Sequence, residues 1–207
     1  ANHNEENCVI NHFSRNVKTY AQAVKLEGVG HSVKRNKISF APHNAILFKG
    51  NDHLIAQNEI RKVCLNTSDA GAIYCGRDWT MGGTVIAENN ISELGQASHH
   101  HNWAIYLDDL ASGISVIDNH IEDCPSGILI GGGRYNRVNG NRIINCPKAS
   151  IMYDARGYAG WFQHHLNDRE LSLWPRLNAV PINQPPWSER FPWLQEIYDD
   201  DPALPRG

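Results

Sequence analysis

One short pattern recurs six times along the first three quarters of the chain. It consists of an aliphatic residue or Cys, two variable positions, Asn, one variable position and an apolar residue. It reads Cys8-Val9-Ile10-Asn11-His12-Phe13, then Val33-Lys34-Arg35-Asn36-Lys37-Ile38 and Ile55-Ala56-Gln57-Asn58-Glu59-Ile60. It continues as Ile86-Ala87-Glu88-Asn89-Asn90-Ile91, Val116-Ile117-Asp118-Asn119-His120-Ile121 and Val138-Asn139-Gly140-Asn141-Arg142-Ile143. Successive Asn residues lie 25, 22, 31, 30 and 22 positions apart. A period of this length makes each repeat one supersecondary unit, which buries its apolar face only by stacking on its neighbours.

A second short apolar stretch follows each Asn. The six copies begin Ala23-Val24-Lys25-Leu26, Ala45-Ile46-Leu47-Phe48, Ala72-Ile73-Tyr74-Cys75, Ala104-Ile105-Tyr106-Leu107, Gly127-Ile128-Leu129-Ile130 and Ser150-Ile151-Met152-Tyr153. Alternation of side-chain direction in a strand makes Val24, Ile46, Ile73, Ile105, Ile128 and Ile151 one inward column. Leu26, Phe48, Cys75, Leu107, Ile130 and Tyr153 make the next. No helical periodicity intervenes, so the reading is all-β: a right-handed parallel β-helix of about six rungs, from Cys8 to Ala155. Asn tolerates the left-handed conformation of a turn, and stacked amides bond from rung to rung. The six Asn are therefore expected at one corner.

The coil is assigned to residues 1–157. From 158 to 207 the pattern stops and most of the chain's Trp and Pro appear. This irregular segment is expected to pack across the solenoid, with a short helix opening near Asn167–Leu171 and another over Ser188–Tyr198. A net charge of −3 provides no basic field for nucleic acid. No apolar run reaches the roughly 20 residues of a membrane helix, and the polar start is not a signal peptide. The five cysteines lack zinc spacing. Cys124 and Cys146 share an Ile-x-x-Cys-Pro setting and are expected as buried, reduced neighbours.

The two longest repeats, of 31 and 30 residues, carry the chemistry. Insertions in a solenoid fall on one face, often the binding face. Here they lie in Val63–Ala70 with Arg77–Gly83, and in Gln96–Asn102. Aligning Ala72-Ile73-Tyr74 with Ala104-Ile105-Tyr106 sets Tyr74 and Tyr106 side by side, facing out. It places Asp108 over Gly76, Asp69 beside His101, and Arg77 beside Asp109. Two carboxyls across a groove suit glycosidic hydrolysis, one donating a proton and the other attacking or activating water. Arg77, His101 and aromatic desolvation are expected to set the two apart in pKa. His99-His100-His101 reads as a loop rather than a metal site, and Gly131-Gly132-Gly133 as a turn.

These residues also resemble a family. Asp69-Ala-Gly-Ala-Ile-Tyr74 with Gly76-Arg-Asp-Trp79, followed by Ile105-Tyr-Leu-Asp-Asp109, is similar to the secreted right-handed β-helix proteins related to glycoside hydrolase family 141. The resemblance covers about Ile55 to Asn145, and Arg190-Phe-Pro-Trp-Leu with Asp201-Pro-Ala-Leu-Pro-Arg-Gly207 extends it. It implies fucosidase or xylanase chemistry on plant-type polysaccharides, with Asp69 in one catalytic role and Asp108 or Asp109 in the other. Tyr74, Arg77, Asp78, Trp79, His101 and Tyr106 would then hold the sugar. It also implies a secreted or periplasmic protein, further rungs in a longer chain, and no cofactor. A polysaccharide lyase on the same fold is the first alternative and would call for Ca²⁺ held by carboxylates. A non-catalytic sugar-binding solenoid is the second.

Overall fold

The computed structural model describes residues 1–95 and 101–199. Its first rung holds strands β1 (Asn4–Glu6), β2 (Val9–Asn11) and β3 (Val24–Val29); its second holds β4 (Ser32–Lys34), β5 (Lys37–Ser39) and β6 (Ile46–Asn51). The third has β7 (Leu54–Ala56), β8 (Glu59–Arg61) and β9 (Ala70–Gly76), and the fourth β10 (Val85–Ala87), β11 (Asn90–Ser92) and β12 (Asn102–Asp108). The fifth has β13 (Ser115–Ile117), β14 (His120–Glu122) and β15 (Ser126–Gly131), and the sixth β16 (Arg137–Asn139), β17 (Arg142–Ile144) and β18 (Ala149–Asp154). The first, second and third strands of every rung stack into three six-stranded sheets, and every pair is parallel. This is the right-handed parallel β-helix that the repeat predicts.

Register explains the core. Val24 pairs with Ile46, Ile46 with Ile73, Ile73 with Ile105, Ile105 with Ile128 and Ile128 with Ile151. Ile46, Ile73, Ile105 and Ile128 are fully buried. The corner between the first two sheets holds five stacked Asn rather than six. The side-chain amides of Asn36, Asn58, Asn89 and Asn119 each donate to the Oδ1 of the next Asn, ending at Asn141, over 2.9–3.2 Å. Each of those four residues also sends its backbone N–H to the same oxygen. In the first rung Glu5 pairs with Val33 and Ile10 with Ile38, so Cys8 takes the corner place and its N–H donates to Asn36 Oδ1 at 2.9 Å. Asn11 instead pairs with Ser39 on the sheet. Strand Asn4–Glu6 therefore belongs to this rung, and a polar Glu5 in the aliphatic position conceals that copy of the repeat.

A second ladder stands at the turn after the third sheet. His3, His31 and His53 stack with ring centroids 5.2 and 5.3 Å apart. The N–H of His3 donates to Nδ1 of His31, and that of His31 to Nδ1 of His53, both at 3.2 Å. Nε2 of His31 and of His53 then each donates to a carbonyl, of Glu27 and Lys49, at 3.0 Å.

Beyond β18 a 3₁₀ turn (Arg156–Tyr158) leads to α1 (Gln163–Asn167), α2 (Leu173–Asn178), α3 (Trp187–Arg190) and α4 (Trp193–Asp199). The helix expected to open at Asn167 ends there, because the Asp168 carboxylate accepts the N–H of Glu170 at 2.9 Å and turns the chain. The helix expected over Ser188–Tyr198 is split at Pro192, which has no N–H to give back. Phe162, Leu166, Leu173, Trp174, Leu177, Leu194 and Ile197 form a second apolar cluster that closes on Trp79 and Leu110 of the coil. Cys124 and Cys146 are neighbours and free, but only Cys124 is buried. Cys146 lies in the sixth rung and is covered from one side only.

Candidate active site

The strand pair β9–β12 builds the site from its register. Tyr106 pairs with Tyr74 and Asp108 with Gly76. Both tyrosines face out of the coil, with rings perpendicular at a centroid distance of 5.3 Å. A Cβ on Gly76 would lie 2.7 Å from the Cβ of Asp108, so glycine is what lets Asp108 settle there. The same outward column continues with Gly131 and Asp154, which pair with each other on β15 and β18. Glycine and aspartate thus alternate through four rungs.

Around this column the charges interlock. Asp108 Oδ2 accepts the Tyr74 hydroxyl at 2.8 Å, and Oδ1 accepts the N–H of Asp109 at 2.9 Å and the Nη1 of Arg156. Asp109 Oδ1 accepts the same Nη1 at 2.8 Å, while its Oδ2 takes Arg77 Nε at 2.7 Å. Arg156 is gripped from behind by Asp154, through Nε at 2.9 Å and Nη2 at 2.5 Å. Asp109 and Leu110 both have left-handed backbone, at φ 39° and 64°. For a leucine that conformation is costly, and it turns the chain so that two consecutive aspartates meet the same guanidinium.

Asp108 is 7% exposed. Burial, then the charge of Asp109, raise its pKa, against the downward pull of Arg156 and the Tyr74 hydroxyl. Tyr74 and Tyr106 are both pushed well above the ordinary phenol value, chiefly by desolvation and next by Asp108. Both therefore act as hydroxyl donors. Tyr106 gives its proton bond to Asp69 Oδ1 at 3.0 Å, so two phenols stand between the two carboxyls. Asp69 is exposed and precedes β9, whereas Asp108 stands beside the last residue of β9.

A cavity of about 350 Å³ joins these groups. Asp69, Arg77, His101, Tyr106, Asp108 and Asp109 line it, together with Trp103, Leu129, Met152, Asp154, Arg156 and Trp161. Trp161 is 64% exposed and Met152 stands two positions before Asp154 on β18. Three expected sugar contacts do not line it: Tyr74, whose hydroxyl is given to Asp108, Trp79 and Asp78. Trp79 is 1% exposed because the C-terminal cluster covers it, with Trp174 perpendicular at 5.1 Å. Asp78 is spent on a turn, where its Oδ1 accepts the N–H and hydroxyl of Thr80 at 2.9 and 2.7 Å. Residues 96–100, with His99 and His100, and the tail motif at 201–207 lie outside the described residues. The sequence reading misses Asp154, Arg156, Trp103, Leu129, Met152 and Trp161. Carrying the Gly76–Asp108 register two rungs further would find Asp154. Among the described residues no cluster of His, Cys, Asp and Glu is arranged to hold a metal ion, and no helix is long and apolar enough to cross a membrane.

Comparison with known proteins adds the lineage of the fold. A family model described as a right handed beta helix region matches residues 22–162. No curated protein matches the chain. A solved structure titled "Glycoside hydrolase" superposes with a TM-score of 0.51 at 18% identity, covering 60% of this chain and 22% of that one. At that identity the likeness is one of fold.

Proposed function

Given that the chain belongs to the right-handed β-helix family, we propose that the groove of Asp69, Asp108 and Trp161 binds a polysaccharide or oligosaccharide and hydrolyses a glycosidic bond. The observation that carries this reading is one cavity with two unlike carboxyls. Asp108, the last residue of β12, is buried with a raised pKa, whereas Asp69, just before the neighbouring β9, is exposed. Asp108 gives its proton to the glycosidic oxygen, and the C–O bond breaks. Asp69 either takes the proton of the water that attacks the anomeric carbon, or attacks that carbon itself to give a glycosyl-enzyme that water then hydrolyses. The product anomer tells a retaining pair, about 5 Å apart, from an inverting one at roughly 6.5–9.5 Å. Asp109, tied by Arg77 and Arg156, fixes the charge around the acid. The exposed indole of Trp161, with Met152 and Leu129, offers the apolar surface that a sugar ring stacks on.

The motif likeness to relatives of glycoside hydrolase family 141 makes xylan and fucosylated oligosaccharides the first substrates to try; the "Glycoside hydrolase" title of the structural neighbour supports the reaction class and names no sugar. A lyase reading is weaker. Proton abstraction by a phenolate needs a lowered tyrosine pKa, and both tyrosines here are raised. The test is turnover and product anomer, followed by NMR in the full-length protein. Asp69→Asn and Asp108→Asn are each expected to lower the rate by roughly 10²- to 10⁴-fold. Full activity in both variants would remove the hydrolase reading from this face. Sugar binding without turnover in the parent would leave a carbohydrate-binding solenoid.

A further inference from the structure

Arg156 is invisible to the repeat pattern because it follows the last strand, yet it occupies the centre of the site. Its guanidinium fills the gap left by Gly131: a Cβ at that position would collide with Cζ, and would lie 2.8 Å from Nε. Gly131 is the residue between Asp108 and Asp154 in the outward column, so the cation lies between two carboxyls of its own column. The two edges of the fork are used differently. Nε and Nη2 face Asp154, where a bidentate pair fixes orientation. Nη1 is left over, and it donates to Asp108 Oδ1 and Asp109 Oδ1 together. Arg156 is 7% exposed. A shared donor in a place this dry is a strong influence on whichever carboxylate is charged.

Resting on the hydrolase reading above, we propose that Arg156 is a positioning residue. Locked by Asp154 in the space made by Gly131, it divides the NH₂ of Nη1 between Asp108 and Asp109 and so sets the pH range over which Asp108 carries a proton. The chain would then build its acid from three rungs: the carboxyl on β12, the vacancy on β15, and the anchor on β18. A lysine cannot replace this arginine, since one ammonium cannot hold Asp154 on two edges and still reach both other carboxyls.

The test reads Asp108 itself and needs no substrate. Carboxyl carbons of the ¹³C-labelled full chain are titrated by NMR. Arg156→Gln removes the cation, and the Asp108 midpoint is expected to rise by a pH unit or more. Gly131→Ala keeps every charge but pushes the guanidinium aside, and is expected to raise the midpoint in the same direction. Arg156→Lys should fall between the wild type and Arg156→Gln. In the wild type, the Arg156 Nη signals are expected to shift with the same midpoint as Asp108, which gives a reading even if no variant folds. Unmoved midpoints in folded Gly131→Ala and Arg156→Gln, or an Arg156 signal that ignores Asp108, would overturn the proposal. Where turnover is measurable, the alkaline limb of the rate profile should move up in Arg156→Gln. Absence of turnover would count against the hydrolase reading alone and leave the titration result standing.

Discussion

The Asn corner and the Gly–Asp column are both single positions followed through successive rungs, and they do opposite work. At the corner each rung repeats the last: five amides, the same two bonds to the next oxygen, each N–H and carbonyl satisfied by the same rule. In the column no rung copies its neighbour, because Gly76, Asp108, Gly131 and Asp154 alternate vacancy with charge. Repetition makes the corner dry and rigid. Alternation makes room in the column for a guanidinium between carboxyls. A solenoid stores stability where the sequence is periodic and chemistry where the period is broken.

If that division holds, the largest stability effect belongs to the corner. Asn89 is 1% exposed, and Asn89→Ala strips two donors of Asn58 of their acceptor and removes the amide's own bond to the Ile55 carbonyl. A loss of roughly 3–5 kcal/mol in urea unfolding is expected, at about 1–3 kcal/mol per buried group left unsatisfied. Asp108→Asn in the column takes a charged acceptor from Arg156 but relieves the repulsion of Asp109, so a smaller loss of about 1–3 kcal/mol is expected. The opposite order would break the comparison.

Gly76→Ala sharpens it from the other side. The new Cβ meets Asp108 Cβ at 2.7 Å, so a cost of roughly 1–3 kcal/mol is expected from overcrowding. Loss of turnover should accompany it. Unchanged melting would mean that the vacancy is not needed.

The histidine ladder tests whether a periodic stack tolerates charge. His53 has a lowered pKa, from burial first and next from its stacked neighbour His31, with Asp52 and the Lys49 carbonyl opposing. Its Nδ1 is already an acceptor, so the folded chain favours the neutral ring. The unfolded chain takes up the proton at about pH 6.5. The ladder's contribution to stability is therefore fully present above pH 6.5. It is lost as pH falls from there toward the folded midpoint, where protonation of the folded ring stops the decline. Melting curves of the wild type and His53→Gln between pH 5 and 7.5 should converge at the acid end. Parallel curves would show that the ladder does not titrate in this window.

The smallest effect is expected at Cys146. A hydrogen bond from Cys124 lowers its thiol to about 7, so alkylation by iodoacetamide near neutral pH should mark Cys146 while sparing buried Cys124. Stability should stay within about 0.5 kcal/mol. Equal labelling of both thiols would mean that the sixth rung opens.

What is legible in the sequence follows the same line. The inward isoleucines, the Asn spacing and the Tyr74–Tyr106 pairing repeat, and so they can be read without coordinates. Asn11 misleads because chance supplies a matching pattern three residues late. Trp79 looks like a sugar platform, but its cover comes from Trp174, almost a hundred residues on, and no local pattern carries such a contact. Arg156 and Trp161 reach the site from a turn that belongs to no repeat. Asp154 is within reach of the alignment, since Gly131 pairs with it as Gly76 pairs with Asp108.

The corner amides have a consequence of their own. Asn36, Asn58, Asn89 and Asn119 all donate toward Asn141, and among the described residues none of these amide-to-amide bonds runs back. Head-to-tail amides polarise one another, and four steps of about 4.8 Å make a polar filament roughly 19 Å long, parallel to the coil axis. Such a filament has a sense of travel. A rung added beyond Asn141 need only present an oxygen, whereas one added before Asn36 must present a donor, as Cys8 does with its backbone N–H. Elongation of this coil is therefore chemically unequal at its two faces, with one rule for what extends it forward and another for what precedes it.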